Sequence, residues 1–111
     1  MHEYSIVEAL LENVQEHVDR ARARSVRKLV VSVGERAGLD TVLFRRAFET
    51  FRERTPCEHA ELDVIDVPVR WECARCGRGA AGPLAPCACG GRAKLVSGDD
   101  IVLERIEMEV G

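Results

Sequence analysis

The sequence predicts an α+β fold, a small mixed β-sheet covered by two helices, with a four-cysteine module inserted in it. Three observations carry that expectation. Apolar residues recur at three- and four-residue spacing in the opening segment and again after Asp40, the period of an amphipathic helix. They follow the shorter period of a half-buried strand around Leu29–Val33, Leu62–Val67 and Ile101–Val110. Four of the five cysteines crowd into residues 73–89 as two close pairs, the pattern of a zinc clamp.

Taken in order, the segment from Glu3 to Ala23 carries Ile6, Val7, Leu10, Leu11, Val14, Val18 and Ala21 at helical spacing, with Glu8, Glu12, Glu16 and Arg20 on the polar side. His17 falls among polar neighbours and reads as a solvated side chain. Arg27–Val33 reads as a strand with Leu29, Val31 and Val33 on its buried face and Val30 partly covered on the other. Gly34-Glu35-Arg36-Ala37-Gly38 ends it. Asp40 is then placed to cap a helix whose stripe of Leu43, Phe44, Ala47, Phe48 and Phe51 holds all three phenylalanines of the chain. Phenylalanines at that spacing, in a chain so poor in aromatics, read as core rather than as a cofactor box. A strand over 60–69 follows, with Pro68 near its end, and strand, helix, strand in that order implies a parallel pair joined by a right-handed crossover. Beyond the cysteines, Lys94–Ser97 reads as a short strand and Gly98-Asp99-Asp100 as a turn. Ile101–Val110 reads as a long final strand with Val102, Ile106, Met108 and Val110 on one face. The expected division is one α/β domain, 1–69 with 95–111, and a zinc-binding module, 70–94.

Cys73-Ala74-Arg75-Cys76-Gly77 and Cys87-Ala88-Cys89-Gly90 can each place two thiolates on one side of a tight turn, and two such turns supply the four soft ligands of a tetrahedral structural zinc. The glycines let the backbone fold back with its N–H groups toward the sulfurs. Arg75, Arg78, Arg92 and Lys94 are placed to offset the negative charge of a tetrathiolate. Disulfides require an oxidising compartment, and the opening Met1-His2-Glu3 has no cationic n-region or apolar h-region that would send the chain there. A redox pair is the other alternative, but Gly77, Gly79, Gly82 and Pro83 after Cys76 disfavour the helix that such a motif opens. Cys57 is separated from Cys73 by an extended stretch whose ends lie on the order of 30 Å apart, so it is expected to be a small buried hydrophobe.

A chain of 111 residues is one domain by the usual measure. Its net charge of −3 argues against a nucleic-acid protein, and the basic run Arg20, Arg22, Arg24, Arg27 and Lys28 reads as a solvated helix end. No apolar run is long enough to cross a bilayer, and reduced thiols place the chain in the cytoplasm. Neither a Walker-type loop nor a nucleophile with a histidine partner appears, and His59 reads as a loop residue, so no enzyme is expected. His2 stands out instead. The α-amine of Met1, the amide nitrogen of His2 and its imidazole can close fused chelate rings around one ion, a nitrogen-rich planar site suited to Ni(II) or Cu(II).

The opening Met1-His2-Glu3-Tyr4-Ser5, the Gly34–Gly38 turn, the Ala47-Phe48-Glu49 stretch and the late cysteine pairs together resemble the HypA/HybF family of hydrogenase nickel-incorporation accessory proteins. The resemblance runs in order over nearly the whole chain. It implies that Met1, His2 and Glu3 form a nickel site in the α/β domain, with Asp40 a neighbour that could help fix or complete it. It also implies that Cys73, Cys76, Cys87 and Cys89 hold a structural zinc. The function implied is that of a nickel metallochaperone for [NiFe]-hydrogenase, and in some bacteria for urease. The partners implied are a GTPase that supplies nickel, the hydrogenase large-subunit precursor and urease accessory proteins, with no nucleic acid and no membrane. The one departure is the second pair, C-x-C where most relatives carry C-x-x-C, which leaves open whether it supplies both remaining ligands. Two other readings stand beside this one: a zinc-ribbon interaction or nucleic-acid-binding module using the basic run, and a thiol redox protein using Cys73 and Cys76.

Overall fold

A computed structural model of the chain describes residues 2–81 and 87–111; Met1, Gly82 and Pro83 lie outside the described residues. The first helix, α1, spans Glu3–Ala21 and buries Val7, Val14 and Val18, with Ile6, Leu10 and Leu11 packed beside them. That is the stripe the spacing predicts. Arg22 takes the left-handed conformation, φ 53° and ψ 41°, and its N–H donates to the carbonyls of Val18 and Asp19, which ends the helix. Strand β1, Ala23–Gly34, starts at once. It therefore begins ahead of the expected Arg27, and the basic run is not a helix end but is divided between the last turn of α1, its cap and the first half of β1.

β1 is the central strand of the main sheet. β2, Glu61–Val67, pairs with it in parallel and β6, Ile101–Val110, pairs antiparallel on the other side. The connection from β1 to β2 contains α2, Thr41–Phe51, as strand, helix, strand requires. Leu29, Val31 and Val33 are buried along β1, and Phe44, Ala47 and Phe48 of α2 join them and the valines of α1 in one core. Full burial of Phe44, Phe48 and Leu29 contributes roughly 1.5–3 kcal/mol each. Cys57, 1% exposed, belongs to this core, and its burial raises the thiol pKa to about 11.

The face of β6 differs from the expected one. Ile101, Leu103, Ile106 and Met108 pack on the core, whereas Val102 and Val110 are exposed. The cause is a bulge: Val31 pairs with Leu103 but Val30 with Arg105, so one extra residue of β6 shifts the alternation between Leu103 and Ile106.

A second sheet holds the cysteines. β3, Arg70–Cys73, lies at its centre between β4, Gly79–Ala81, and β5, Ala93–Ser97, both antiparallel to it. β5 thus falls across the expected division at 94/95, and it pairs with β3 rather than with the main sheet. The two sheets meet where three passes of the chain cross. The N–H groups of Gly34, Glu35 and Arg36 donate to the carbonyls of Asp100, Val67 and Gly98 at 2.8, 2.9 and 2.6 Å. A Cβ on Gly34 would collide with the backbone of Gly98, and one on Gly98 would lie 2.7 Å from the Cα of Val69. The guanidinium of Arg36 lies 5.6 Å from the centre of the Trp71 ring, a cation–π contact from this crossing to the cysteine-bearing sheet.

Candidate metal centre

The four cysteines of the late pairs converge. Cys73 Sγ lies 3.3 Å from Cys89 Sγ and Cys76 Sγ lies 3.6 Å from Cys87 Sγ. All four sulfurs fall within 4.8 Å of one another. Sulfurs bound about 2.3 Å from one zinc in a tetrahedron stand about 3.8 Å apart, so the donor set and its spacing fit such an ion. The C-x-C pair contributes both of its sulfurs, and the turns show how. In the first, the Gly77 N–H closes back on the Cys73 carbonyl, four residues away; in the second the Gly90 N–H closes on the Cys87 carbonyl, only three away. Gly77 and Gly90 hold positive φ, 79° and 82°, that glycine adopts without strain. A turn shorter by one residue therefore replaces the missing spacer.

Backbone N–H groups of these turns reach the sulfurs as expected, although those of Gly77 and Gly90 themselves bond carbonyls. The sulfur donors are other amides. The N–H groups of Cys76 and Arg75 donate to Cys73 and, with the Cys89 thiol, hold its pKa down at about 6. The Gly91 N–H donates to Cys89 and pulls its pKa down, yet hydrogen bonds with the sulfurs of Cys73, Cys87 and Cys76 push it up to about 12. Such a split is what a metal-free thiol cluster requires, since four neighbouring thiolates repel one another. Arg75 bridges the two turns by donating from Nη1 to the Cys89 carbonyl at 3.2 Å. Gly91 was not singled out by the sequence reading, but a Cβ there would stand 2.5 Å from Cys73 Sγ and 3.3 Å from Cys89 Sγ. Its only sequence signal is the Gly90-Gly91 doublet behind the second pair.

At the start of α1, the expected residues behave differently from one another. Met1 lies outside the described residues. His2 is exposed at the N-cap of α1, where its carbonyl accepts from the Ile6 N–H at 3.1 Å. Glu3 is buried, and its Oε1 accepts from the backbone N–H of Asp40 at 3.2 Å. Asp40 Oδ1 accepts from the N–H groups of Val42 and Leu43 at 3.0 and 3.1 Å, the N-cap the sequence predicts. Glu3 and Asp40 are thus brought together by a backbone contact. Among the described residues, the cysteine tetrad is the one group of three or more potential ligand side chains whose donor atoms lie within 4.8 Å; His2, Glu3 and Asp40 do not form a second.

The cap role of Asp40 can be separated from any metal role. Asp40→Ala should lower stability by about 1 kcal/mol, seen as a lower denaturation midpoint, while Asp40→Asn should keep most of it because asparagine caps equally well. An Asp40→Ala variant as stable as wild type would show that the cap contributes nothing.

A thiol tetrad held by a small sheet, beside a two-helix core whose first helix begins at Glu3, defines a small protein with one candidate metal centre among its described residues. Comparison with known proteins narrows the class. The family described as "Hydrogenase/urease nickel incorporation, metallochaperone, hypA" matches residues 1–108. The hydrogenase/urease maturation factor HypA of Helicobacter pylori is 44% identical over 77 residues, 68% of this chain and 66% of that one. The hydrogenase maturation factor HypA of Wolinella succinogenes is 36% identical over 114 residues, 98% of this chain and 96% of that one. The solution structure of the Ni metallochaperone HypA from Helicobacter pylori superposes with a TM-score of 0.76 at 34% identity, covering the whole of both chains. The chain belongs to the HypA family of hydrogenase and urease nickel-incorporation metallochaperones, maturation factors rather than enzymes. No helix among the described residues is long and apolar enough to cross a membrane.

Proposed function

We propose that this chain carries Ni(II) at its amino terminus and delivers it to the hydrogenase large-subunit precursor, or to the urease maturation apparatus, after receiving it from a GTPase partner. The carrying observation is the arrangement at the start of α1. His2 is exposed at the helix N-cap, free to turn its imidazole to an ion, while Glu3 beside it is anchored to the Asp40 backbone, which ties the first turn of α1 to the start of α2. The ion is cargo, so an exposed site that gives up its metal suits the task better than a closed one. The cysteine tetrad is the opposite case. Its four sulfurs close around one position with backbone N–H groups behind them, which suits a retained structural Zn(II).

The thiol redox reading is the weaker, because all four sulfurs share one position where a redox pair needs two. The test of delivery is direct. Untagged chain loaded with nickel is mixed with metal-free large-subunit precursor and the GTPase, and nickel in the precursor is counted after separation. Transfer faster than from the same concentration of free Ni(II) supports the proposal, and equal rates would remove the need for a carrier.

A further inference from the structure

Two arginines of the basic run sit where β1 bulges. Ala23 pairs with Val110 and Ser25 with Glu109, then Val26 with Met108 and Lys28 with Glu107, so β1 carries one extra residue at each of two places. The extra residues are Arg24 and Arg27. A bulge leaves its extra residue outside the ladder and re-aims the side chain. A regular strand presents alternate residues to one side, yet Arg24, Ser25, Val26 and Arg27 all line a single cavity of about 480 Å³. That volume lies within the range of small-molecule sites.

The other side of the cavity is the turn between α2 and β2, and it is tied down. The Pro56 carbonyl accepts from the Val26 N–H at 2.9 Å. The Thr55 hydroxyl donates to the Arg52 carbonyl at 2.6 Å and accepts from the Cys57 N–H at 3.1 Å. Val26 and Cys57 are both buried in the main core, which seats the strand and the turn on one base. Thr55, Pro56, Glu58 and His59 line the cavity from this side, and Glu109 lines it from β6.

Glu109 indicates what the arginines bind. Its carboxylate lies 3.6 Å from Arg27 Nε, and the two side chains are 48% and 67% exposed, so the pair contributes little and yields to a stronger anion. Arg24 donates from Nη1 to the Gly111 carbonyl at 3.1 Å, which engages one of the five N–H groups of its guanidinium. One guanidinium fork already takes both oxygens of a carboxylate, so two forks on one cavity suit an anion with more oxygens and more charge. A phosphate monoester offers three free oxygens and a charge of about −1.5 to −2 at neutral pH. We propose that this cavity binds a phosphate group, free or as the ester of a small molecule, held by Arg24 and Arg27 with a further donor from the His59 ring. Glu109 then competes with the ligand for Arg27. The cavity is remote from both candidate metal sites. The 19 residues of α1, at ~1.5 Å each, put it roughly 28 Å from His2, and the length of β1 puts it about 30 Å from the crossing at Gly34.

The test is an NMR titration of the full, zinc-loaded, isotope-labelled chain with inorganic phosphate, phenyl phosphate and acetate at constant ionic strength. Both phosphates should shift the amides of residues 24–27 and 57–59 and bind at least about tenfold more tightly than acetate. Arg24→Gln and Arg27→Gln should each weaken binding by roughly tenfold, the worth of a hydrogen bond to a charged group. Glu109→Gln removes the competitor and should tighten binding several-fold. The amide spectrum of each variant shows whether it is folded. Tighter binding of phenyl phosphate than of inorganic phosphate identifies an ester as the ligand, and equal binding identifies free phosphate. The proposal is overturned if wild type responds to neither phosphate at millimolar concentration, if the shifts fall only elsewhere, or if acetate binds as tightly. Wild-type affinity in the Arg24→Gln, Arg27→Gln double variant would overturn it too.

Discussion

A single residue added ahead of Met1 should abolish nickel binding while leaving the fold and the cysteine tetrad intact. The added peptide bond turns the terminal amine into an amide, a far poorer donor, and breaks the chelate that would use the amine, the His2 amide nitrogen and the imidazole. His2→Ala should do the same. Loss of a hydrogen-bonding neighbour of a metal ligand already costs about 10–100-fold in affinity, so loss of the imidazole should exceed that. His2 is the clean position for this test. Its side chain is exposed and makes no cap hydrogen bond, and the carbonyl it gives to Ile6 is kept by alanine. Glu3 is a poor choice, since removing its buried carboxylate also leaves the Asp40 N–H without its partner and confounds metal with stability. Acid should release the ion as well, because imidazole and amine both bind as free bases. Calorimetric titration of untagged protein is the measurement. One equivalent of nickel taken up by His2→Ala at wild-type affinity would refute the site.

Much of the two-helix domain was legible because its signals are local. Val7, Val14 and Val18 recur with the helix period, Phe44, Ala47 and Phe48 do so again, and Asp40 stands at the one position from which a side chain can cap the second helix. The tetrad was legible for the same reason, since each pair needs only its own turn. What the pattern does not carry are contacts between distant passes of the chain. The bulge at Glu104–Arg105 is set by pairing with β1 some 70 positions earlier, and nothing in the run Ile101–Val110 announces that its phase changes. The same holds for Gly34 and Gly98, read as turn residues, whose real constraint is the contact of one backbone with the other. The second sheet escaped because its strands are short and place few side chains in a core; among the described residues, Cys73 is the one deeply buried side chain they supply. At the chain start, the family resemblance grouped Glu3 and Asp40 as metal neighbours. The structure adds the mechanical link between them, the Asp40 N–H on the Glu3 carboxylate.

Cys89→Ser should strip zinc from the module, whereas Cys57→Ser should keep it. Cys89 stands 3.3 Å from Cys73 and is one of four sulfurs around a single position, so serine leaves three thiolates and a hydroxyl that zinc binds poorly. The proton count should change with it. Without metal the Cys89 thiol is pushed up to about 12 and is protonated at neutral pH, so binding zinc must expel that proton. Loaded with zinc in large excess, the Cys89→Ser variant should release fewer protons per zinc bound than wild type in weakly buffered solution. Cys57 lies in the main hydrophobic core at 1% exposure, so its replacement by serine should instead cost stability, about 1–3 kcal/mol for a buried hydroxyl without a partner. Chelation offers a second readout. The one tryptophan, Trp71, lies in β3 two residues before Cys73, while the helices carry the far-ultraviolet signal. Because α1, α2 and the main sheet close their core without the cysteines of the module, removing zinc should change Trp71 emission before helical signal is lost. Zinc kept by Cys89→Ser and lost by Cys57→Ser would overturn the ligand assignment. Emission and helicity falling together on chelation would show that the cysteine sheet and the helical domain unfold as one unit, with the crossing at Gly34 and Gly98 as the joint that couples them.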